Sequence, residues 1–335
     1  MAQRHLEGAI MISVIICTFN RVGLLEETVR SFLACQADGV DYELLLVDNH
    51  STDKTRELAE SLTTLNPRIR YLFEPHLNLC HARNAGIRES RGEIITFADD
   101  DVYFSSRWLT SLYSSFERHP DVACIGGMVV PHFEAGRPSW IDDDQLWIYG
   151  VTRYGDHERE IQPPEIPIGC NMAFRRTVFE QIGGFNPSLG RKGGSLQSGD
   201  ENDLFIRAGK AGLKTLYSPD VQISHRIPSA RTTRHWVLRR YYWQGASDVA
   251  LNQIAEGSLS QEDIKKKTIE TLRGLRRRWK EIAGLLCEKI GGNRCVPINN
   301  QLDICYKIGA LRQMIVESLK APGGNAVNSE RRGEG

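Results

Sequence analysis

Three short, almost wholly apolar runs punctuate the first hundred residues, and each ends in a polar cluster. Ile12–Cys17 runs into Thr18-Phe19-Asn20-Arg21, Glu43–Val47 into Asp48-Asn49, and Glu93–Ala98 into Asp99-Asp100-Asp101. A further strand is read at Ile69–Glu74. Between them the spacing is helical: Val22–Leu33 carries Leu24, Leu25, Val29, Phe32 and Leu33, and Thr52–Leu65 and Ala82–Glu89 follow the same period. Strands so uniformly apolar must be buried on both faces, and helices are what cover them. The pattern therefore predicts an α/β fold on a Rossmann-like, mostly parallel sheet. In open sheets of this kind ligands bind outside the carboxyl ends of the strands. The polar clusters are the candidate site.

After Asp101 the pattern loosens. A strand is expected at Val122–Pro131, an irregular stretch at Glu134–Gln162, a strand within Ile166–Phe174 and a helix near Thr177–Ile182. A glycine-rich loop, Gly190–Gly199, precedes a helix from about Glu201 to Ala211 and a strand at Val221–Ser224. From about Ser260 the chain turns to Lys/Arg-rich helices. The expected division is a main domain over 10–250 and a helical extension over 251–320, with 1–9 and 321–335 disordered.

Forty-two basic residues balance forty-two acidic ones, which argues against a nucleic-acid partner held by a global basic field. No run approaches the ~18 apolar residues of a membrane span, and the N-terminus shows no signal-peptide core. A cytoplasmic chain is expected. The eight cysteines form no C-x-x-C pair, so reduced, buried thiols are expected rather than disulfides or a zinc site.

No phosphate-cradling glycine motif occurs, which lowers the case for a P-loop NTPase or a dinucleotide enzyme. The sharpest signal is Asp99-Asp100-Asp101. Adjacent carboxylates repel, and a hard divalent cation that also takes substrate phosphates relieves the repulsion. An Asp-rich turn alone is commonly a local hydrogen-bonding device, but this one follows a buried strand beside two other polar strand ends. The second signal is Gly199-Asp200-Glu201-Asn202-Asp203, a helix start with Asp200 expected at the N-cap. Capping explains Glu201 less well, and a carboxylate over a cleft suits a general base. His225, after the strand at Val221–Ser224, is placed to complete a metal shell begun by Asp101. Among Arg226, Arg231, Arg234, Arg239 and Arg240, one arginine is expected to clamp a diphosphate, with Arg231 the candidate.

These residues fall into an ordered set. Thr18-Phe19-Asn20-Arg21, Val47–Asp53, Ala82-Arg83-Asn84-Ala85-Gly86, Phe97–Asp101, Gly169–Arg176, Gly183-Gly184-Phe185 and Asp200–Leu204 occur in that order over roughly 12–245. Together the set resembles a family-2 glycosyltransferase with a GT-A-type fold and a D-x-D metal motif. The resemblance implies inverting transfer of a sugar from a nucleotide-diphosphate sugar to an acceptor hydroxyl, with Mn²⁺ or Mg²⁺. It implies Thr18, Asn20 and Asp48 around the nucleoside, with uridine preferred, Arg83 near the base or diphosphate, and Asp99 at the ribose. Arg21 and Asp100 belong to the same donor side. It implies Asp101 and His225 as metal residues. The family usually places Glu-Asp before x-Asp-Leu, with the aspartate as base. Here the order is Asp200-Glu201, which puts a glutamate in that register and leaves Asp200 as the alternative.

Two other functions remain open at this point. A sugar nucleotidyltransferase would want a glycine-rich triphosphate loop, and none follows Ile12–Cys17. A nucleotide-sugar-binding protein without turnover is raised only by the Asp200-Glu201 swap. Gly190–Gly199, with Lys192, reads as a flap over the donor or as an ordinary surface loop. The stretches Glu134–Gln162 and Ile166–Asn171 are expected to shape the acceptor side. In Ile264–Lys280, eight basic residues face Glu270 alone, and Leu272, Leu275, Trp279, Ile282 and Leu286 form a helical apolar stripe. That segment, 264–286, reads either as a helix packed on the protein or as an interfacial helix on anionic lipid, which would suit a lipid-linked acceptor.

Overall fold

A computed structural model describes residues 10–190, 196–255, 260–288 and 297–319. Both expected disordered ends, and Lys192 in the glycine-rich loop, lie outside these residues. The chain runs β1 (Met11–Thr18), α1 (Val22–Leu33), β2 (Asp41–Asp48), α2 (Thr55–Leu65), β3 (Ile69–Phe73), α3 (Leu79–Glu89) and β4 (Ile94–Asp99). It continues through β5 (Val102–Phe104), α4 (Trp108–Arg118), β6 (Val122–Phe133), β7 (Arg159–Ile161), β8 (Asn171–Arg175), α5 (Arg176–Ile182), α6 (Asp200–Lys210) and β9 (Lys214–Ile227). Four helices close it: α7 (Arg234–Ala255), α8 (Gln261–Arg277), α9 (Trp279–Glu288) and α10 (Ile298–Ser318).

Among the described residues the nine strands form one sheet in the order β3-β2-β1-β4-β8-β6-β9-β5, with β7 beside β9. Neighbours β3, β2, β1 and β4 are parallel, as are β6 and β9. Strands β8, β5 and β7 run antiparallel to their partners. The sheet is mixed, as a GT-A-type fold is. Its apolar residues alternate between two cores. Ile12, Val14 and Ile16 pack with Phe32, Trp108 and Phe116 on one face. Ile15, Leu45 and Val47 pack with Phe97, Phe174 and Phe185 on the other. Side chains of successive strand residues point to opposite faces, so a run without polar gaps fills both layers.

Register positions the site. Thr18 pairs with Asp48, and Cys17 pairs with both Val47 and Asp99, so three strand ends share one edge. Strand β5 returns against β9 with Val102 opposite His225. That pairing brings His225 to Asp101 across more than 120 residues of chain.

The sequence pattern overlooked β5 and α4, although Trp108, Leu109, Leu112 and Phe116 are buried at helical spacing. It also cut β9 short. Pro219-Asp220 interrupts the apolar run, and the structure carries the strand through this point with a register shift opposite Gly127–Val129. Within the irregular stretch, a 3₁₀ helix spans Asp143–Tyr149.

The described residues divide into two compact units, 1–240 and 241–335. In the second unit α8 packs along α10 with Ile264, Leu275, Leu302 and Ile304 buried. The expected stripe is split. Leu275 is buried, while Leu272 and Trp279 are 48% and 60% exposed. The helix ends at Arg277 and restarts at Trp279, and Arg278 at the break pairs with Glu281 and Asp303. Nothing is described of the side chain of Leu286. No helix among the described residues is long and apolar enough to cross a membrane. Cys17, Cys35, Cys80, Cys124, Cys170 and Cys305 are free thiols.

Candidate active site

The three consecutive acids do three different things. Asp100 turns inward: its carboxylate accepts from Thr18 Oγ1 at 2.7 Å and Arg21 Nη1 at 2.8 Å, and its carbonyl accepts from Thr28 Oγ1 at 2.9 Å. Burial, then the neighbouring Asp101 charge, raises its pKa against the pull of Arg21. Asp99 is the open acid, with a side chain 38% exposed and Arg83 Nη2 3.5 Å away. Asp101 is buried and faces β9. Its Oδ2 lies 3.1 Å from Arg21 Nη1 and 3.5 Å from Arg231 Nη2. Its Oδ1 is 3.3 Å from His225 Nε2 and is a buried oxygen without a hydrogen bond.

The histidine explains that vacant oxygen. His225 Nδ1 is 2.6 Å from the Tyr149 carbonyl. A carbonyl only accepts, so Nδ1 carries the hydrogen and the neutral ring presents a lone pair at Nε2. Two lone pairs then face each other across the gap. A proton or a cation between them satisfies both. Without a cation a second proton serves: burial depresses His225 but Asp101 overcomes this and raises it. Burial likewise lifts Asp101, yet His225, Arg231 and Arg21 hold it well below the usual carboxylate range. A backbone carbonyl fixing the tautomer of a ligand histidine is the outer support metal sites use. Among the described residues no group of three His, Cys, Asp or Glu could hold a metal ion. One buried carboxylate and one imidazole of fixed tautomer fit a Mg²⁺- or Mn²⁺-like ion that would take the rest of its shell from water and substrate phosphate oxygens.

Around the strand ends, the other expected donor-side residues are hydrogen-bonded into the loops. Asp48 is buried and accepts from the Ser51 N–H at 2.8 Å and the Tyr71 hydroxyl at 3.0 Å. Asn20, at φ 53°, accepts from the Thr52 N–H at 2.7 Å. Of the expected arginines, Arg231 reaches the acids, whereas Arg226 pairs with Glu27 and Glu134.

On the other side of β4, Arg83 organises the start of α6. Its Nη1 is 2.7 Å from Asp200 Oδ2, its Nη2 donates to the Gly169 carbonyl at 3.2 Å, and its guanidinium carbon stands 5.2 Å from the Phe185 ring centroid. Arg83 and Asp200 are both 3% exposed. A Cβ at Gly169 would come within 2.5 Å of Arg83 Nη2, so a side chain there would displace the guanidinium. Asp200 is not the helix cap the sequence suggested. Gly199, at φ 113°, takes the N-cap position, and Asp200 begins the first turn with its carboxylate on Arg83. Its neighbour Glu201 is pushed up to about 8 by burial, then by the Asp200 charge and a hydrogen bond with it.

The structure thus gathers Thr18, Arg21, Asp100, Asp101, His225 and Arg231 into one network. It gathers Arg83, Asp99, Asp200 and Glu201 into a second. Asp48 and Asn20 line the neighbouring loop. Sequence reasoning missed Tyr149, whose carbonyl holds His225, whose hydroxyl donates to the Arg231 carbonyl at 3.2 Å, and whose ring stacks on Trp236 at 5.6 Å. A backbone carbonyl leaves no signal in a side-chain motif.

Comparison with known proteins gives the family and the fold. The sequence model of glycosyl transferase family 2 matches residues 13–183. The chain is 26% identical over 241 residues to a glucosyl-dolichyl phosphate glucuronosyltransferase of Haloferax volcanii, covering 70% of this chain and 75% of that one. It is 28% identical over 243 residues to the succinoglycan biosynthesis protein ExoM of Rhizobium meliloti, covering 70% and 72%. In fold it resembles the mannosyltransferase PcManGT from Pyrobaculum calidifontis in complex with GDP-Man and Mn²⁺, with TM-score 0.56, 19% identity and 92% and 87% of the two chains covered. It also resembles GalNAc-T7 with UDP, GalNAc and Mn²⁺, at TM-score 0.50 and 17% identity, covering 72% of this chain and about half, 51%, of that one. With more than half its length matched and its sheet of the GT-A type, this chain is a glycosyltransferase and belongs to glycosyl transferase family 2.

Proposed function

We propose that the chain transfers a sugar, with inversion, from a nucleotide-diphosphate sugar to an acceptor hydroxyl. The observation that carries this is the unequal treatment of the two adjacent acids at the start of α6. Asp200 is neutralised by a buried guanidinium, whereas Glu201 has a raised affinity for a proton. A base must take a proton in the reaction and release it later, and Glu201 is the acid suited to that exchange. A single in-line displacement needs one base and a stabilised leaving group, and no covalent nucleophile.

Asp101 and His225 would hold a divalent cation, which supplies positive charge to the departing diphosphate. Arg231 and Arg21, both against Asp101, hold that carboxylate in its charged form and add positive potential beside the leaving group. Asp100 fixes the loop through Thr18 and Arg21 and so positions Asp101. Asp99, the exposed acid, suits a ribose hydroxyl. UDP is the proposed donor nucleotide, with Asp48 at the nucleoside.

The acceptor proposed is a lipid-linked substrate reached by peripheral contact with a membrane, on the cytoplasmic side, and a surface of α8 supports it. Ile269 and Leu272, each 48% exposed, lie on α8 with Lys265, Arg273 and Arg276 at helical spacing beside them and one acid, Glu262, on the same face. Exposed apolar side chains inside a basic field suit an anionic bilayer surface.

The test of the reaction is stereochemical. Slow donor hydrolysis, with water as acceptor, is followed by NMR using α-linked UDP-glucose and Mn²⁺. The reading expects β-glucose as the first-formed product, and its loss in Glu201→Gln. First-formed α-glucose overturns inversion.

A further inference from the structure

Two of the groups that face Asp101 depend on one further residue, which takes no part in the proposed reaction. Tyr149 ends the 3₁₀ helix at Asp143–Tyr149, and Gly150 follows it in the left-handed region at φ 73°. The Tyr149 carbonyl lies 2.6 Å from His225 Nδ1. The side chain of the same residue goes elsewhere: its hydroxyl donates to the Arg231 carbonyl at 3.2 Å. His225 Nε2 stands 3.3 Å from Asp101 Oδ1, and Arg231 Nη2 stands 3.5 Å from Asp101 Oδ2. Tyr149 thus holds, by main chain and by side chain, the residues that meet both oxygens of one carboxylate.

Packing fixes the ring that carries the hydroxyl. Tyr149 is 2% exposed. Trp236, near the start of α7, stacks on it with centroids 5.6 Å apart and planes 7° from parallel. Phe133, the last residue of β6, meets it edge-on at 5.4 Å and pairs with Ile227 in β9, two residues beyond His225. A ring clamped in this way would pack equally well as phenylalanine. The hydroxyl is the part that packing does not need, and its acceptor belongs to the 3₁₀ turn Ser229–Thr232. Within that turn the Arg231 N–H donates to the Pro228 carbonyl at 2.8 Å. So short a 3₁₀ turn has few hydrogen bonds of its own, and their geometry is poor. A bond from a fixed ring therefore weighs heavily in where its arginine points.

We propose that Tyr149 is a positioning residue for the diphosphate end of the donor site, acting through Arg231. This rests on the reading of Arg231 as positive charge beside the leaving diphosphate. A guanidinium serves a phosphate by direction as well as by charge, because its donors form a planar fork. Loss of direction therefore lowers its worth to the ligand even though the charge remains. The Tyr149 hydroxyl itself touches no substrate.

The test is a double-mutant cycle on the full chain, read by calorimetric titration of UDP in the presence of Mn²⁺. Arg231→Ala should weaken UDP by about ten-fold or more, the usual worth of a hydrogen bond to a charged group. Tyr149→Phe keeps the ring and the carbonyl. It should weaken UDP about five-fold, the usual worth of one net hydrogen bond, with Tm close to that of the parent. The double variant should bind UDP no more weakly than Arg231→Ala alone, because the hydroxyl then has no guanidinium to aim. A residue with a structural role alone would lower Tm and leave UDP affinity unchanged, or would give additive losses. Tyr306→Phe is the control: it removes another partly buried hydroxyl bond, to Asp248 at 2.8 Å in the second unit, and should leave UDP affinity as it was. Unchanged UDP affinity in Tyr149→Phe, additive losses in the double variant, or an equal loss in Tyr306→Phe overturns the proposal and leaves Arg231 at the diphosphate. Unchanged affinity in Arg231→Ala overturns the reading of Arg231, and the proposal with it.

Discussion

Asp101 Oδ1 and His225 Nε2 stand 3.3 Å apart, buried, each presenting a lone pair to the other when the imidazole is neutral. This relationship is made by backbone register, with Val102 opposite His225. Asp101 is supplied at the end of one strand and His225 from the far end of the chain's sheet-forming region. A divalent cation between them would replace a shared proton. Mn²⁺ alone should therefore compete with protonation of His225, and NMR titration of His225 should show its pKa falling as Mg²⁺, the diamagnetic surrogate, is added. No change in the His225 titration with Mg²⁺ would argue against shared ligation.

Asp200 and Glu201 should separate cleanly by mutation. Asp200→Asn removes the closer, buried counter-charge of Arg83 and leaves only Asp99 at 3.5 Å, and breaking such a buried pair costs up to about 3–5 kcal/mol. Its main effect should be a lowered Tm. Glu201→Gln keeps the helix start and removes the base, so Tm should match the parent at pH 5 and not fall below it at higher pH, while kcat falls by about 10²–10⁴, the usual worth of a positioned base. Chemical denaturation beside kcat for both variants checks this. An active Glu201→Gln with a dead but stable Asp200→Asn would move the base by one residue.

Stability should also fall as pH rises through the titration of Glu201. The folded chain holds the Glu201 proton to about 8, well above the ordinary value of 4.5. The folded state therefore binds more protons, and this contribution is full below about pH 4.5 and lost as pH passes through about 8. Thermal melts from pH 5 to 9 should show the decline, and Glu201→Gln should flatten it.

Much of this site was legible in the sequence, for a physical reason. Strand ends announce themselves where an apolar run stops, so Thr18, Asp48 and Asp99–Asp101 could be placed on one edge from pattern alone. The roles within the edge could not. Asp99, Asp100 and Asp101 are adjacent and identical in type, and only strand direction and register send one to solvent, one to Arg21 and one to His225. Asp200 as helix cap was a fair local reading that a tertiary partner, Arg83, overrode. The part of β9 before Pro219 was hidden by that proline, and α4 by the looser pattern after Asp101. The stripe through Leu272, Leu275 and Trp279 assumed one uninterrupted helix, and the break at Arg278 divides it.

Within the second unit α7 and α10 cross with backbones in contact. A Cβ at Gly309 would lie 1.8 Å from the Tyr242 carbonyl oxygen, and one at Gly245 would lie 2.0 Å from that of Tyr306. Backbone cannot yield as a side-chain tip does. Gly309→Ala should therefore destabilise this unit by about 1–3 kcal/mol, the range for overpacking, seen as an earlier melting transition. Gly274, on α8 with nothing within 4 Å, is the control, and Gly274→Ala should be neutral or stabilising.

Membrane contact through α8 has its own signature. Co-sedimentation with anionic vesicles should be strong at low salt and weaken as salt rises, because screening shortens to about 8 Å at physiological ionic strength. Leu272→Ser should reduce it without lowering Tm, since Leu272 is exposed, whereas Leu275→Ser should lower Tm, since Leu275 is buried. Equal sedimentation of the parent chain and Leu272→Ser would remove the apolar part of the argument.

The central claim is that Asp101 and His225 hold the cation that receives the donor's diphosphate. Calorimetric titration of UDP into the chain with Mn²⁺, and again with EDTA, tests it directly, alongside Asp101→Asn. The account predicts tight binding with Mn²⁺, a loss of at least ten-fold in EDTA, and no response to Mn²⁺ in Asp101→Asn. Equal UDP affinity with and without the metal, in the parent chain and in Asp101→Asn alike, would contradict it.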